Sequence, residues 1–461
     1  MSQTLFPSLW RISALLSGAC VVLFQPMHAA TLCVNPGGTG GCQATIGAAV
    51  TAAAPGDIIE VAAGTFAEAV VITKSLSLVG SGSGSTIIDA TGQPHGIFID
   101  GTAAAPATGV SAVVVSGFTI ENANFEGILA ASATNVTILQ NEVMNNNLVL
   151  SQDNCPGIPA YETNEAMDCG EGIHLMGTDH SVVADNLVHN NSGGILITDE
   201  TGPDHDNLIT GNTVTRNGYA CGITLASHPA ASRANPTTPF NFGVYHNTVS
   251  GNEVSFNGLL DGAGAGVGIY APGPGSQAYG NMVIGNTLES NGLPGVAMHN
   301  HAAPPGAPAI SFNDNSIIGN TIRFNAADTE DAATAGPTGI NIYSLTPMTG
   351  TVIAQNQVDN EAIDLAVNVA LAGSTGPAQI QAHLNNFVPY GFRPRIVGIS
   401  NTGAAQVDGA ENWWGCTSDP SQSSGLLRCA AATSGVSTSP WLLQPAPAVT
   451  AAANPFLNRP Q

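Results

Sequence analysis

The sequence predicts an all-β, single-stranded parallel β-helix, a solenoid in which the chain winds through stacked coils of short strands. Two repeated phrases predict it. The first contains an asparagine, one residue, an aliphatic residue and a further asparagine, and its copies are QNEVMNN (140–146), DNLVHNN (185–191), GNTVTRNG (211–218), GNEVSFNG (251–258), GNTLESNG (285–292), GNTIRFNA (319–326) and QNQVDNEA (355–362). The second begins with glycine and follows most copies of the first: GIHLMG (172–177), GILITD (194–199), GITLAS (222–227), GVGIYA (266–271), GVAMHN (295–300) and GINIYS (339–344).

The repeat length fits one turn of such a solenoid. The shortest interval between leading glycines, from Gly172 to Gly194, is 22 residues. A unit of this size cannot bury its own apolar face, but stacked units bury a continuous core. Asparagine tolerates the left-handed corners between strands, and its amide can bond to the same amide one coil away. The leading asparagines are Asn141, Asn186, Asn212, Asn252, Asn286, Asn320 and Asn356. The alternative, an antiparallel β-sandwich with polar turns, is disfavoured by the recurrence of one phrase in one register.

The two ends of the repeat region carry their own signals. Residues 43–53 predict a helix that ends before a Pro-Gly break, and short β-rich stretches follow it. A helix there would cover the open first coil and block edge-to-edge pairing. At the far end, ENWWG (411–415) places Trp413 and Trp414 where the repeat has its aliphatic residue. Long insertions, which we expect to form surface loops, lie near 147–170, 229–246, 258–265, 302–315 and 326–338.

The chain divides into three predicted segments. Residues 1–30 have the features of a signal peptide, since Arg11 is their only charge and an apolar run leads to a small-residue end. That run is too short for a stable membrane span, and Cys20 leaves lipoprotein processing as an alternative. Residues 31–430 form the β-helix domain, and residues 431–461 form a Pro/Ala/Ser-rich C-terminal tail.

The charge balance excludes some partners. The formal net charge is −23, and Lys74 is the only lysine. No basic patch can form, so we expect no binding to nucleic acid or to an anionic membrane surface. A uronic-acid polymer would need a bridging cation or a few well-placed arginines. We expect a monomer.

Cysteine usage indicates an oxidising compartment. Removal of the signal peptide leaves seven cysteines, and Cys221 is the one without a near neighbour. The other six form three near-neighbour couples, Cys33 with Cys42, Cys155 with Cys169, and Cys416 with Cys429. Local disulfides of this kind predict a secreted, periplasmic or cell-surface protein. We expect Cys221 to pack as a small apolar residue, and no Cys/His spacing indicates zinc.

The repeats resemble the right-handed parallel β-helix repeat family, within the pectate-lyase-like superfamily. APGDIIEVAAGTFAEAVVITKSLSLVGSG (54–82) is similar to the usual first coils of such proteins, and NWWG (412–415) to a common last coil. The resemblance covers roughly residues 32–420 and implies a right-handed solenoid. The resemblance indicates little about function, because the superfamily includes polysaccharide lyases, glycoside hydrolases, uronate epimerases, copper-maturation proteins and adhesins. No active-site motif of these branches transfers residue by residue.

Strand alternation separates core from surface in the glycine-led phrase. The positions one and three after glycine are aliphatic or Met and should point inward, which makes Met298 a core residue. Four after glycine, Tyr270, His299 and Tyr343 should form a ladder on one outer face, with adjacent coils about 4.8 Å apart. Further polar residues share this face or lie just past its strands: His174, Asn341, Asp199, Glu200, His228, Asn300 and His301.

Two chemistries suit this face. In a lyase or epimerase, Tyr270, His299 and Tyr343 would exchange protons beside a sugar carboxylate. Calcium, held by acids of TDETGPDHDN (198–207), could neutralise that carboxylate, although the stretch lacks a recognised calcium spacing. In a glycoside hydrolase, two carboxyl groups would act together. The candidates for that pair are Asp199, Glu200 and Glu171, with His174 or His228 tuning them.

The sequence therefore predicts a secreted polysaccharide lyase or glycoside hydrolase that cleaves within a glycan chain. Its predicted catalytic residues are Tyr270, His299, Tyr343, Asp199 and Glu200. Its predicted substrate-binding residues are His174, His228, Asn300, His301 and Asn341. The alternative is a non-catalytic carbohydrate-binding or adhesin-like β-helix. A third class, copper delivery, would need clustered Met, His and Cys ligands, and only His299 and His301 point that way.

Overall fold

The computed structural model describes residues 29–103, 108–146, 170–227, 242–260, 264–330, 332–370, 379–388, 396–423 and 429–447. Within these residues the chain forms three long parallel sheets, sheets A, B and C, and one α-helix. Each coil passes through sheet C, then sheet A, then sheet B. The predicted all-β parallel solenoid is confirmed.

The strands of each sheet are stacked in chain order along the solenoid. Sheet A consists of Thr31–Val34, Ile58–Val61, Leu76–Gly80, Val113–Ser116, Thr137–Leu139, Val182–Ala184, Leu208–Thr210, Thr248–Ser250, Met282–Ile284, Ser316–Ile318, Thr351–Ala354, Ile380–His383, Val407–Asp408 and Val436–Ser437. Sheet B consists of Gly64–Phe66, Thr86–Asp89, Thr119–Glu121, Glu142–Met144, Leu187–His189, Thr213–Thr215, Glu253–Ser255, Thr287–Glu289, Thr321–Arg323, Gln357–Asp359 and Asn386–Val388.

Sheet C contains the glycine-led strands and is the sheet interrupted by loops. It consists of Val70–Ile72, Ile97–Asp100, Val110–Ser111, Ile128–Thr134, Ile173–Asp179, Ile195–Thr198, Asp204–His205, Ile223–Ala226, Val244–Tyr245, Val267–Tyr270, Ala278–Tyr279, Val296–His299, Thr338–Ser344, Ile363–Val369, Val397–Asn401 and Ala431–Ala432. Where a loop is inserted, a short second strand precedes the corner to sheet A. Ile173–Asp179, for example, pairs with both Ile195–Thr198 and Asp204–His205.

The core is continuous along the solenoid, as stacked coils require. Inward residues such as Ile173, Ile223 and Ile340 are fully buried in one cluster, and Met298 belongs to it as predicted. At the far end Trp414 is fully buried, and its ring centroid lies 5.2 Å from that of Phe387.

Ladders of buried asparagines stabilise the corners. The seven predicted residues form one ladder between sheets A and B, which Asn385 and Asn412 extend, with amide-to-amide distances of 2.9 to 3.1 Å. A second ladder, between sheets B and C, contains Asn146, Asn191, Asn217, Asn257, Asn291 and Asn325. A third, between sheets C and A, contains Asn207, Asn247, Asn281 and Asn315.

The first coil has the predicted helical cap. The α-helix spans Ile46–Ala52, and Thr45 caps it by accepting a hydrogen bond from the Ala48 N–H. The Glu68 carboxylate accepts the N–H groups of Ile46 and Gly47 at 2.7 and 2.9 Å, which ties the helix to the solenoid. Two single 3₁₀ turns occur at Thr39–Gly41 and Pro420–Gln422.

Two of the predicted disulfides are present. They join Cys33 with Cys42 and Cys416 with Cys429, near the two ends of the solenoid. The couple of Cys155 with Cys169 lies outside the described residues, as do residues 1–28 of the predicted signal peptide. Cys221 is a buried free thiol, as expected. In the described part of the chain, no helix is both long and apolar enough to cross a membrane.

Candidate functional site

The outer face of sheet C is covered, and this overturns one expectation. Side chains alternate as predicted, but several outward residues do not reach solvent: His174, His299 and Asn341 are only 1%, 2% and 3% exposed. Inserted loops fold onto the face. Asn341 donates to the Ala332 carbonyl and to Asp328, both at 2.9 Å, and so holds the 326–337 loop down.

A second apolar cluster lies under these loops on the outside of the sheet. It contains Cys221, Ala265, Leu293 and Ala297, with Tyr270 packed against it. Strand alternation alone identifies which residues point outward, but it does not show which of them a loop will cover. The face is therefore a set of partly closed sites rather than an open sheet surface.

The structure brings Tyr270, His299 and His301 together. Tyr270 and His299 pair in register on adjacent coils, and their ring centroids lie 4.5 Å apart. The His301 ring lies 4.9 Å from that of His299 and is exposed. The Tyr270 ring lies over Gly268, where an added Cβ would come within 2.4 Å of it, so a larger residue there would displace the ring.

Burial sets the protonation state of Tyr270 in this trio. The Tyr270 hydroxyl lies 3.2 Å from the Cys221 sulfur. Burial raises the pKa of Tyr270 well above its ordinary value, and nearby Cys221 and Glu330 raise it further. Burial also raises the pKa of Cys221 to about 11. Tyr270 is therefore protonated at neutral pH and can donate a proton, whereas histidine is the side-chain type that exchanges protons in that range.

Tyr343 lies further along the same outward row. It follows Ile342, which pairs with Met298, and it pairs with Asn368 on the next coil. Its side chain is half-buried. The ladder position predicted for it is thus observed, one coil beyond His299.

Asp199 and Asn300 occupy buried positions that join the loops of successive coils. Asp199 accepts a hydrogen bond from the Ser227 hydroxyl at 2.8 Å, and the same hydroxyl accepts the Gln277 N–H at 3.0 Å. Asn300 donates to the Ser344 hydroxyl and accepts the Leu345 N–H, both at 3.0 Å. Glu200 is buried as well, and His228 lies outside the described residues.

Sequence reasoning named Glu171 and His174 but missed Glu126 and His95, with which they form a buried cluster at the start of the sheet C strands. The His95 Nδ1 lies 2.6 Å from the Glu126 carboxylate. Glu126, Glu171 and His174 are fully buried, and each can offer one ligand atom within 4.8 Å of the others. These atoms could hold a metal ion or act as an acid–base pair. The signal in the sequence is the repeated EGI at 126–128 and 171–173, which places both glutamates directly before the leading glycine.

A second outward row, the corner row, runs beside sheet A. It follows the register across six successive coils through Ser111, Thr134, Asp179, His205, Tyr245 and Tyr279. The rings of its last three members are stacked, with centroids 4.9 and 5.0 Å apart and planes within 10° of parallel. The first three members help to line a cavity of about 280 Å³.

The lysine and arginine side chains in the described part of the chain lie away from the outer face of sheet C. These three side chains are Lys74, Arg216 and Arg323. Lys74 binds the Ala53 carbonyl at the end of the helix, at 2.9 Å. Arg216 lies over the Phe256 ring, and Arg323 pairs with Glu289 at 2.9 Å on sheet B. The described outer face of sheet C therefore offers no arginine or lysine to a sugar carboxylate.

Comparisons with known proteins identify the fold class. The family model described as a right-handed beta helix region matches residues 78–237. No curated protein matches the chain. The fold is that of right-handed parallel β-helix proteins, and the likeness of the repeats to a right-handed β-helix is confirmed.

Three solved structures illustrate the likeness. The A-module of the mannuronan C-5 epimerase AlgE4 from Azotobacter vinelandii is 14% identical, with a TM-score of 0.52, over 87% of this chain and 93% of its own. The Dettilon tailspike protein is 15% identical, with a TM-score of 0.53, over 82% and 61% of the two chains. An α-1,3-glucanase catalytic domain, solved with tetrasaccharides, is 14% identical, with a TM-score of 0.51, over 80% and 62%. At these identities the likeness shows the fold alone.

Proposed function

We propose that the chain is a secreted or periplasmic enzyme that cleaves within a glycan chain bound at exposed His301, beside the loop-covered pair of Tyr270 and His299 on the outer face of sheet C. The observation that carries the proposal is the contact between Tyr270 and His299, 4.5 Å between ring centroids, with His301 beside them. The fold supports it, because an epimerase module and a glucanase catalytic domain share it. The disulfides support an oxidising compartment.

The trio suits general acid–base catalysis. Tyr270 keeps its proton at neutral pH, so it would donate to the leaving oxygen of the cleaved bond. His299 would take a proton from the sugar, and exposed His301 would pass it to solvent. A polymer of uronic acids would also need its carboxylate neutralised, and this reaction would then depend on an added cation.

Hydrolysis by paired carboxyl groups is a second candidate, favoured by the buried acid cluster. Glu126 and Glu171 lie on adjacent coils with carboxylate oxygens within 4.8 Å. A separation of about 5 Å between two carboxyl groups is typical of retaining glycosidases. His95 at Glu126, and His174 beside both acids, would set which of them carries the proton.

A panel of neutral and uronic-acid glycans tests both candidates. Ultraviolet absorbance of an unsaturated product indicates a lyase, and new reducing ends without it indicate hydrolysis. We expect His299→Ala to lower kcat about 10²-fold or more, since positioned acid–base groups contribute on that order. His189→Ala is the control, because His189 lies on sheet B and pairs with Glu142. Unchanged turnover in His299→Ala would remove the trio from catalysis. Binding of a glycan without any cleavage would favour the carbohydrate-binding alternative.

A further inference from the structure

Two histidines and an aspartate meet on the surface at the corner between sheets C and A. His180, His205 and Asp206 can each offer one ligand atom, and these atoms lie within 4.8 Å of one another. The Nδ1 of His246, one coil further, lies 4.0 Å from Asp206. The side chains of His180 and Asp206 are 60% and 43% exposed, so an ion can reach them from solvent.

A neighbouring carboxylate fixes the His180 imidazole in a metal-binding orientation. Asp179 lies 2.8 Å from the Nδ1 of His180, and an ionised carboxylate can only accept, so this Nδ1 carries the hydrogen and Nε2 keeps its lone pair. Asp206 lies 2.8 Å from the Nδ1 of His205, and an ion bound by both would take the place of the proton on that nitrogen. A carboxylate on the far nitrogen is the usual support of a metal-bound histidine.

Other contacts hold these groups in place before any ion arrives. The His205 ring stacks on Tyr245, 4.9 Å between centroids and 7° from parallel. Asp179 also accepts a hydrogen bond from the Thr134 hydroxyl. His180 and Asp206 both occupy left-handed corners, at φ 51° and 56°, where histidine and aspartate are tolerated better than most residues. The corners are stacked coil on coil, which aligns the two side chains along the solenoid.

The donor set decides the class of ion. Imidazole nitrogens with one carboxylate suit Zn²⁺, Cu²⁺ or Ni²⁺, whereas calcium takes six to eight oxygens. The acids of TDETGPDHDN do not converge as calcium ligands, because two of them turn inward. Asp199 binds Ser227, and Asp204 accepts the N–H and hydroxyl of Thr178 at 2.8 and 2.9 Å. Of that stretch, His205 and Asp206 form the end that faces outward.

We propose that His180, His205 and Asp206 form a binding site for a divalent transition-metal ion, with Asp179 as a positioning residue. Three protein ligands leave a coordination position open to an outside group. The neighbouring cavity of about 280 Å³, lined in part by Ser111, Thr134 and Asp179, gives such a group a place beside the ion. The site belongs to the corner row and not to the row of Tyr270 and His299, and it does not rest on the proposed glycan cleavage.

Calorimetric titration of the metal-free full chain with Zn²⁺ tests the site. We expect saturable binding of one ion in this patch, lost or weakened at least 10-fold in His180→Ala and in His205→Ala. Asp179→Asn should bind about 10- to 100-fold more weakly, which is the usual effect of losing a supporting carboxylate.

The controls separate this patch from other ligands in the chain. His189→Ala keeps all four residues of the patch and should bind Zn²⁺ like the unaltered chain. Visible absorption of Co²⁺ in place of Zn²⁺ should report nitrogen and oxygen ligation and should disappear in His205→Ala. Circular dichroism checks that each variant is folded. No saturable binding by the unaltered chain, or equal binding by folded His180→Ala and His205→Ala, would overturn the proposal.

Discussion

Asp364 shows how a single buried residue can set the response to pH. It takes the strand position that Gly339 has on the preceding coil, and it is fully buried. Burial raises its pKa well above the ordinary value, and nearby Glu361 and Asp359 raise it further. Because the folded-state pKa exceeds the unfolded one, the contribution of this group is most favourable below about pH 4. It is lost as the pH rises through the folded-state pKa.

Asp364→Asn should therefore gain stability relative to the unaltered chain as the pH rises. The amide cannot ionise, so at neutral pH the variant avoids a cost on the order of 1 kcal/mol or more. Melting temperatures measured from about pH 4 to pH 8 check this, because the difference should widen with pH. Asp185→Asn makes the same change at an exposed corner position and is the control. A constant difference across the range would contradict the assigned cause.

For single residues, the sequence predicted the position in the sheet better than the burial and the neighbouring side chains. It placed Tyr270 and His299 side by side, because strand alternation and register follow from the repeat. It did not predict that His299 is 2% exposed, because covering depends on loops whose paths carry no periodic signal. Nor did it identify His95 and Glu126 as neighbours, since their contact joins residues outside the repeated phrases.

The asparagine ladder between sheets A and B stabilises neighbouring coils together. In the middle of the ladder, the Asn252 amide donates to Ile209 and to Asn286, at 3.0 and 2.9 Å. Its carbonyl oxygen accepts both the backbone N–H and the amide of Asn212, at 2.9 and 3.0 Å. Its removal leaves buried groups on two neighbouring coils without these bonds, and each such group costs about 1–3 kcal/mol.

Asn252→Ala should accordingly lower the free energy of unfolding by roughly 3 kcal/mol or more. Urea unfolding followed by circular dichroism measures it. Glu253→Ala is the matched control, because Glu253 is the next residue and is exposed on sheet B, so the midpoint should hardly move. Equal midpoints for the two variants would mean that the ladder adds nothing to stability.

The sequence repeat predicted the asparagine ladder between sheets A and B but not the ladder between sheets C and A. The leading asparagines were recognised because one phrase surrounds them in every copy. The ladder between sheets C and A, with Asn207, Asn247 and Asn281, follows loops of different lengths. Its members nevertheless lie five residues before leading asparagines, so its signal was present in the sequence, but outside the phrase that identified the first ladder.

The fold of the whole molecule was predictable because every coil has to bury its apolar residues against the neighbouring coils. A solenoid buries its core only between neighbouring coils, so its period appears directly in the sequence. Function has no such period. The candidate sites lie where single coils depart from the repeat, as Glu171 does before its glycine and His205 does after its loop. The sequence therefore predicted the scaffold closely and the functional groups only in part.

The first and last coils are vulnerable because each has a neighbouring coil on one side only. The helix Ile46–Ala52 buries Ile46, Ala49 and Val50 against the first coil, and it shields strand edges that could pair with another chain. Val50→Asp would place a charge in that contact without altering the coils beyond it. We expect the helix to detach and the variant to associate end to end, with apparent mass rising with concentration in light scattering. Ala48→Asp puts the same charge on the exposed side of the first helical turn, where acids are favourable, and it should stay monomeric. A monomeric Val50→Asp with an unchanged melting temperature would show that the solenoid protects its first edge without the helix.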